Sequence, residues 1–227
     1  MKKIDLPVGD LLEELLLLSR EHPSPTRDQW LDTYSKLADL RGDENRAWNG
    51  HLEANTDLIL RALEAEQVKT VEAFGKTRAG GALHMQVSLS RYWILSSYEL
   101  LRTCCDNQIC EHGSAANQQC DHANCFGCRV VRLKKEFARI RMPLAKFEPQ
   151  ARRNNGEIIT IRHFDKDETT EITKAYLGKG RYHPDIMIDI DSGSLGWTFY
   201  DHVTGQPCLI SRQKLSDEFV GLGSSDI

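Results

Sequence analysis

Residues 83–105, LHMQVSLSRYWILSSYELLRTCC, carry apolar side chains at Val87, Leu89, Tyr92, Trp93, Ile94, Leu95, Tyr98, Leu100 and Leu101. At 100° per residue these positions cover several faces of a helix, and a helix with no polar side is stable only when neighbours surround it. This stretch therefore belongs in the middle of a helical bundle. Ser88, Ser90, Ser96 and Ser97 are small enough to let those neighbours come close. The fold class that follows is mostly α.

The helix runs into Cys104–Cys128, CCDNQICEHGSAANQQCDHANCFGC, which holds six of the seven cysteines and two of the eight histidines. Thiolates and imidazoles gathered in a short loop are the ligands of a tetrahedral zinc ion. Cys125 and Cys128 form a C-x-x-C pair able to grip one metal from a tight turn, and C-x-H occurs at Cys110–His112 and Cys120–His122. The first choice of ligands is Cys110, Cys120, Cys125 and Cys128, with His112 and His122 as substitutes. A polar loop of this length buries too little to order itself, and zinc binding supplies the missing free energy. The same thiols also suit a redox switch in which oxidation ejects the ion. A catalytic zinc would need a general base, for which Glu111 and then Asp121 are the candidates.

Beyond the loop, Val130, Leu133, Phe137, Ile140, Leu144 and Phe147 share one helical arc, and Arg132, Lys135, Arg139 and Lys146 share another. Pro143 is expected to kink this helix. The formal net charge is −4, yet residues 128–153 hold nine basic and two acidic side chains. A basic row on an otherwise acidic protein contacts successive phosphates of a nucleic acid or an acidic protein, or pairs with the chain's own acidic first helix. Aromatic residues do not interleave it, so base stacking has no support.

Upstream, residues 7–20 read as that first helix, with Asp10, Glu13 and Glu14 near its positive end. A second helix runs from a cap at Thr26 or Asp28 to about Leu40, with Trp30, Leu31, Tyr34 and Leu37 at helical spacing. Residues 44–74 continue the pattern, with a break expected near Asn49–Gly50 and a buried stripe of Ile59, Leu63, Val71 and Phe74. Gly75 and Gly80–Gly81 then permit a reversal.

After Pro149 the pattern changes. Residues 157–164 and 186–190 alternate as strands, and residues 197–202 and 207–212 flank VTGQ as a β-hairpin. Ser211 caps a short last helix through Phe219, and Cys208 reads as a core thiol. Asp185, Asp189 and Asp191 suit either a divalent ion or the wet side of a strand. The expected organisation is a bundle over 1–153, including the metal loop 104–128, with a small α+β tail over 154–227 packed on it.

Hydrophobic residues make up 40% and charged residues 27% of the 227 positions, an ordinary globular composition. The opening MKKIDLPVGDLLEELLLLS begins like an export leader, but acidic residues interrupt its apolar part. A cytoplasmic protein with no membrane partner is expected.

Two stretches, RAWNGH (46–51) and RAGGALH (78–84), match an Arg-x4-6-His spacing. With its helical outline the chain loosely resembles the HEPN ribonucleases. Alanine, at Ala47 and Ala79, follows each arginine where that family commonly has a polar residue. The resemblance implies metal-independent RNA cleavage across a homodimer, with Arg46 stabilising phosphate charge and His51 moving protons. The leading expectation is instead a zinc-stabilised binding or regulatory protein.

Overall fold

A computed structural model describes residues 7–21, 25, 27–39, 47–77, 80–106, 125–146, 158–163, 171–176, 185–201 and 206–223. Among them are six helices: α1 (Val8–Arg20), α2 (Arg27–Asp39), α3 (Ala47–Phe74), α4 (Gly81–Asp106), α5 (Phe126–Lys146) and α6 (Arg212–Val220). Strands β1 (Ile158–His163) and β2 (Glu171–Tyr176) pair antiparallel. Strands β3 (Asp185–Ile188), β4 (Leu195–Asp201) and β5 (Gln206–Ser211) form a three-stranded antiparallel sheet in that order. No described helix is long and apolar enough to cross a membrane.

Helix α4 is central, as its many apolar faces require. It packs against α3, α5 and β4, with Trp93, Ile94 and Leu101 fully buried. Rings from four helices meet there: Trp30 of α2 lies 5.1 Å from Phe219 of α6, and Trp93 lies 5.6 Å from Phe137 of α5. Each such pair adds about 0.5–1.5 kcal/mol beyond the area it buries.

Helix α3 departs from expectation twice. No break occurs at Asn49–Gly50, because Gly50 lies under the Tyr34 ring, where a Cβ would stand 2.5 Å from the ring's Cγ. That glycine serves a close approach between helices rather than a turn. The buried stripe also differs: Ile59, Leu63 and Val71 are half-buried and Phe74 is 71% exposed. The residues turned inward include Glu53, Asp57, Arg61, Glu64 and Gln67, at helical spacing beside Ala54, Leu58 and Leu60.

Buried charges need partners, and α6 supplies them. Arg212 donates from Nε to Glu64 at 2.7 Å and from a guanidinium nitrogen to Asp57. Asp57 also accepts from Trp30 Nε1 at 2.9 Å, Arg61 Nε at 2.9 Å and Ser216 Oγ at 2.7 Å. Burial alone would raise the Asp57 pKa, but Arg212 and Arg61, with the Ser216 and Arg61 hydrogen bonds, hold it below its ordinary value.

The glycines of the α3–α4 connection behave as read, Gly75 and Gly80 having φ of 65° and 88°. Strand β3 ends before the expected Ile190, because Asp189 begins a turn. Its carboxylate accepts from the Asp191 N–H at 3.1 Å and from Ser192 Oγ at 2.7 Å, so it organises the loop. Gly193, at φ 68°, presses that turn against the Glu64 carbonyl. Strand β2 had no counterpart in the sequence reading.

Candidate functional site

Helix α5 begins where the Cys125 carbonyl accepts from the Arg129 N–H at 3.0 Å, one turn before the expected start, and continues through Pro143 to Lys146. Its apolar arc is buried at Val130, Leu133, Phe137, Ile140 and Leu144. Phe147 lies outside the described residues. Burying that arc fixes the rotation of the helix, and with it the direction of the basic row.

Arg132 and Lys135 are exposed, and the Arg139 side chain is 24% exposed. All three line a groove of about 850 Å³ between α5 and the β5–α6 corner. Lys146 closes α5 seven residues further on, and its side chain lies outside the described residues.

The opposite wall depends on Ser211. Its side chain accepts from the Lys214 N–H, capping α6 and turning strand into helix at once, so that Lys214 and Glu218 line the groove one turn apart. Arg129 donates to the Gly221 carbonyl, and Arg139 Nη2 lies 2.9 Å from Cys208 Sγ, two contacts that join α5 to the elements across from it. Cys208 is half-buried, packed against the main core as expected, and also borders the groove beside the Arg139 guanidinium. Buried leucines and Ile210 form an apolar floor, among them Leu133, Leu215 and Leu222.

Among the described residues, Arg129, Arg132, Lys135, Arg139 and Lys214 line the groove together with two carboxylates, Glu136 and Glu218. Glu136 is bound to Arg139 at 2.7 Å. Burial raises the Glu218 pKa, Lys214 opposes that rise, and Glu136 and Asp217 add to it. Compared with known protein families, curated proteins and solved structures, the chain matches none. Basic side chains set over an apolar floor are chemistry suited to an anionic chain.

The cysteines divide into two sets. Cys104 and Cys105, at the end of α4, are buried within the main core. Cys125 and Cys128 are buried together as a separate small cluster at the start of α5. A spacing of three residues on the first helical turn brings the two near each other, as half of a tetrahedral site requires. Cys110, His112, Cys120 and His122 lie outside the described residues, as do Glu111 and Asp121. Among the described residues no group of three or more His, Cys, Asp or Glu side chains is placed to hold an ion.

Arg46 also lies outside the described residues. His51 is half-buried, and its Nδ1 lies 2.9 Å from a guanidinium nitrogen of Arg27. A guanidinium only donates, so Nδ1 accepts there. The parts of the site that sequence reasoning missed are Cys208 as a groove residue, Lys214 and Glu218, while Arg129 falls within the basic segment already singled out. Of the missed residues only Lys214 had a signal, as a basic residue after a capping serine.

Proposed function

We propose that this chain is a binding or regulatory protein that engages an anionic macromolecular partner in the groove between α5 and the β5–α6 corner. The observation that carries the reading is the convergence of Arg132, Lys135 and Arg139 with Lys214 over an apolar floor. The apolar floor, the two carboxylates and the lack of an aromatic side chain among the described lining residues suit an acidic protein segment better than a nucleic acid. A continuous phosphate backbone would meet Glu136 and Glu218, and its bases would have no ring to stack on. The test is binding of a labelled acidic peptide and a labelled oligonucleotide, compared between the wild type and Arg132→Glu.

Zinc belongs to this reading as a structural ion. Cys125 and Cys128 would hold it at the start of α5, with Cys110 and Cys120, or His112 and His122, completing the shell. The supporting observation is that this pair sits apart from the core that absorbs Cys104 and Cys105. Fixing the first turn of α5 would fix the direction of Arg129 and Arg132.

A second reading, a HEPN-like metal-independent ribonuclease, draws on the Arg27–His51 contact. In it Arg27 takes the phosphate-binding role first given to Arg46. RNA cleavage that persists in chelator and disappears in His51→Ala would support it, and unchanged cleavage in that variant would remove it.

A further inference from the structure

We propose that helix α1 of a second copy of this chain covers the groove, so that reciprocal self-association regulates access to it; this rests on reading the groove as a binding surface. Helix α1 packs against α3, with Ser19 buried and Leu15 and Leu16 half-buried. Its other leucines remain in water: Leu11 is 38%, Leu12 53%, Leu17 54% and Leu18 64% exposed. Of these, Leu11 and Leu18 share one face with Leu17 at its edge, whereas Leu12 projects about 100° away from Leu11 beside the buried Ser19. Large apolar side chains left exposed on a surface helix mark an interaction site.

The patch is patterned. Leu11 and Leu18 lie seven residues apart on one face, Glu14 stands between them, and Leu17, Asp10 and Glu21 flank them, all exposed. Leucine anchors spaced by carboxylates are what an apolar floor rimmed by basic side chains accepts from an amphipathic helix. The lengths also agree. At 1.5 Å per residue the acidic face from Asp10 to Glu21 spans about 16 Å, and the row from Arg129 to Arg139 spans about 15 Å.

Each copy carries one such helix and one groove, on different elements, so a two-fold exchange satisfies both and closes the assembly. A free partner then has to displace α1. Apolar contact supplies affinity, while the opposed charges set register and make the dimer sensitive to salt.

The test is sedimentation of the full chain over a wide concentration range, for wild type, Glu14→Lys, Arg132→Glu and the double variant. Both positions are exposed, so the substitutions leave the core intact, and circular dichroism checks this. Each single reversal is expected to weaken the dimer by about tenfold or more, and the double variant to recover most of the loss. Leu18→Glu is expected to give a monomer. A chain that stays monomeric, or a dimer indifferent to all of these changes, overturns the proposal. A labelled acidic peptide and a labelled oligonucleotide separate the two failures. A monomer that binds either probe through Arg132 keeps the groove and loses the dimer, and one that binds neither loses both.

Discussion

Arg212 and Glu64 stand 148 positions apart in the chain and meet in a two-point ion pair, Nε to Oε1 at 2.7 Å and Nη2 to Oε2 at 2.5 Å. Their side chains are 0% and 3% exposed. This pair, with Asp57, fastens the last helix to the middle of α3 and so holds one wall of the groove in place. Removing one partner of a buried pair leaves the other charge stranded, at a cost of about 3–5 kcal/mol. Arg212→Met is therefore expected to lower stability by that amount in urea unfolding, whereas Arg102→Met, which breaks a half-exposed pair with Glu99, should change it by less than about 1 kcal/mol.

The same network sets a pH dependence. The folded-state pKa of Asp57 is depressed, so its contribution is present above the unfolded value near 3.9 and is lost as pH falls through the lower folded value. Acid unfolding should steepen below about pH 4 and lose that component in Asp57→Asn. Tyr34 behaves oppositely. Burial first, then Glu53 and Asp57, push its pKa well above the usual value, so the stability it contributes is lost as pH rises above about 10. Melting temperature across pH checks the acid limb against Asp57→Asn and the alkaline limb against Tyr34→Phe.

How much of this was legible depended on where the partners lay. Helices α4 and α5 could be read because their own apolar spacing determines which side is buried, and the Ser211 cap could be read because its acceptor and donor are three residues apart. The inner face of α3 could not. Glu53, Asp57, Arg61 and Glu64 look like a wet stripe until Arg212 is known to lie against Asp57 and Glu64, Ser216 and Asp217 against Arg61, and Ser96 against Glu53. Strand β2, EITKAY, breaks alternation at the adjacent polar pair Thr173–Lys174 and is placed by its register with β1, from Glu171 opposite His163 to Tyr176 opposite Ile158. One wall of the groove followed from helical period, and the other, Cys208 and Lys214, arrives from distant elements.

Gly193 offers a test of the packing between the β3–β4 turn and α3. A Cβ there would stand 2.1 Å from the Glu64 carbonyl oxygen, and φ is 68°. Gly193→Ala is expected to destabilise by about 2–4 kcal/mol, from backbone strain and a clash with main chain. Gly80→Ala, at φ 88° with open space around the new methyl, should lose only about 1 kcal/mol. Equal losses would mean that the turn is not held against α3.

Chelation is expected to lower the melting temperature and weaken binding in the groove, because zinc would fix the first turn of α5. Cys125→Ser and Cys128→Ser should reduce bound zinc measured by elemental analysis. Cys104→Ser should leave the metal in place and destabilise only through the core. Equal melting temperatures with and without metal, in protein verified to have lost it, would reject the structural role.

The two carboxylates of the groove oppose an anionic partner. Glu218→Gln is expected to tighten binding by about two- to fivefold, the scale of one partly exposed like-charge contact. The gain should grow as pH rises through the elevated Glu218 pKa, since below it the wild-type group is already neutral. Isothermal titration at two pH values checks the sign.

The most direct measurement is a fluorescence anisotropy titration of the full chain with a labelled acidic peptide at low and physiological salt, alongside Arg132→Glu and Lys135→Glu. Affinity should fall as salt rises and should drop by about tenfold or more in each variant, with the fold unchanged. Binding that is equal in the variants and indifferent to salt would contradict a basic groove as the site of function.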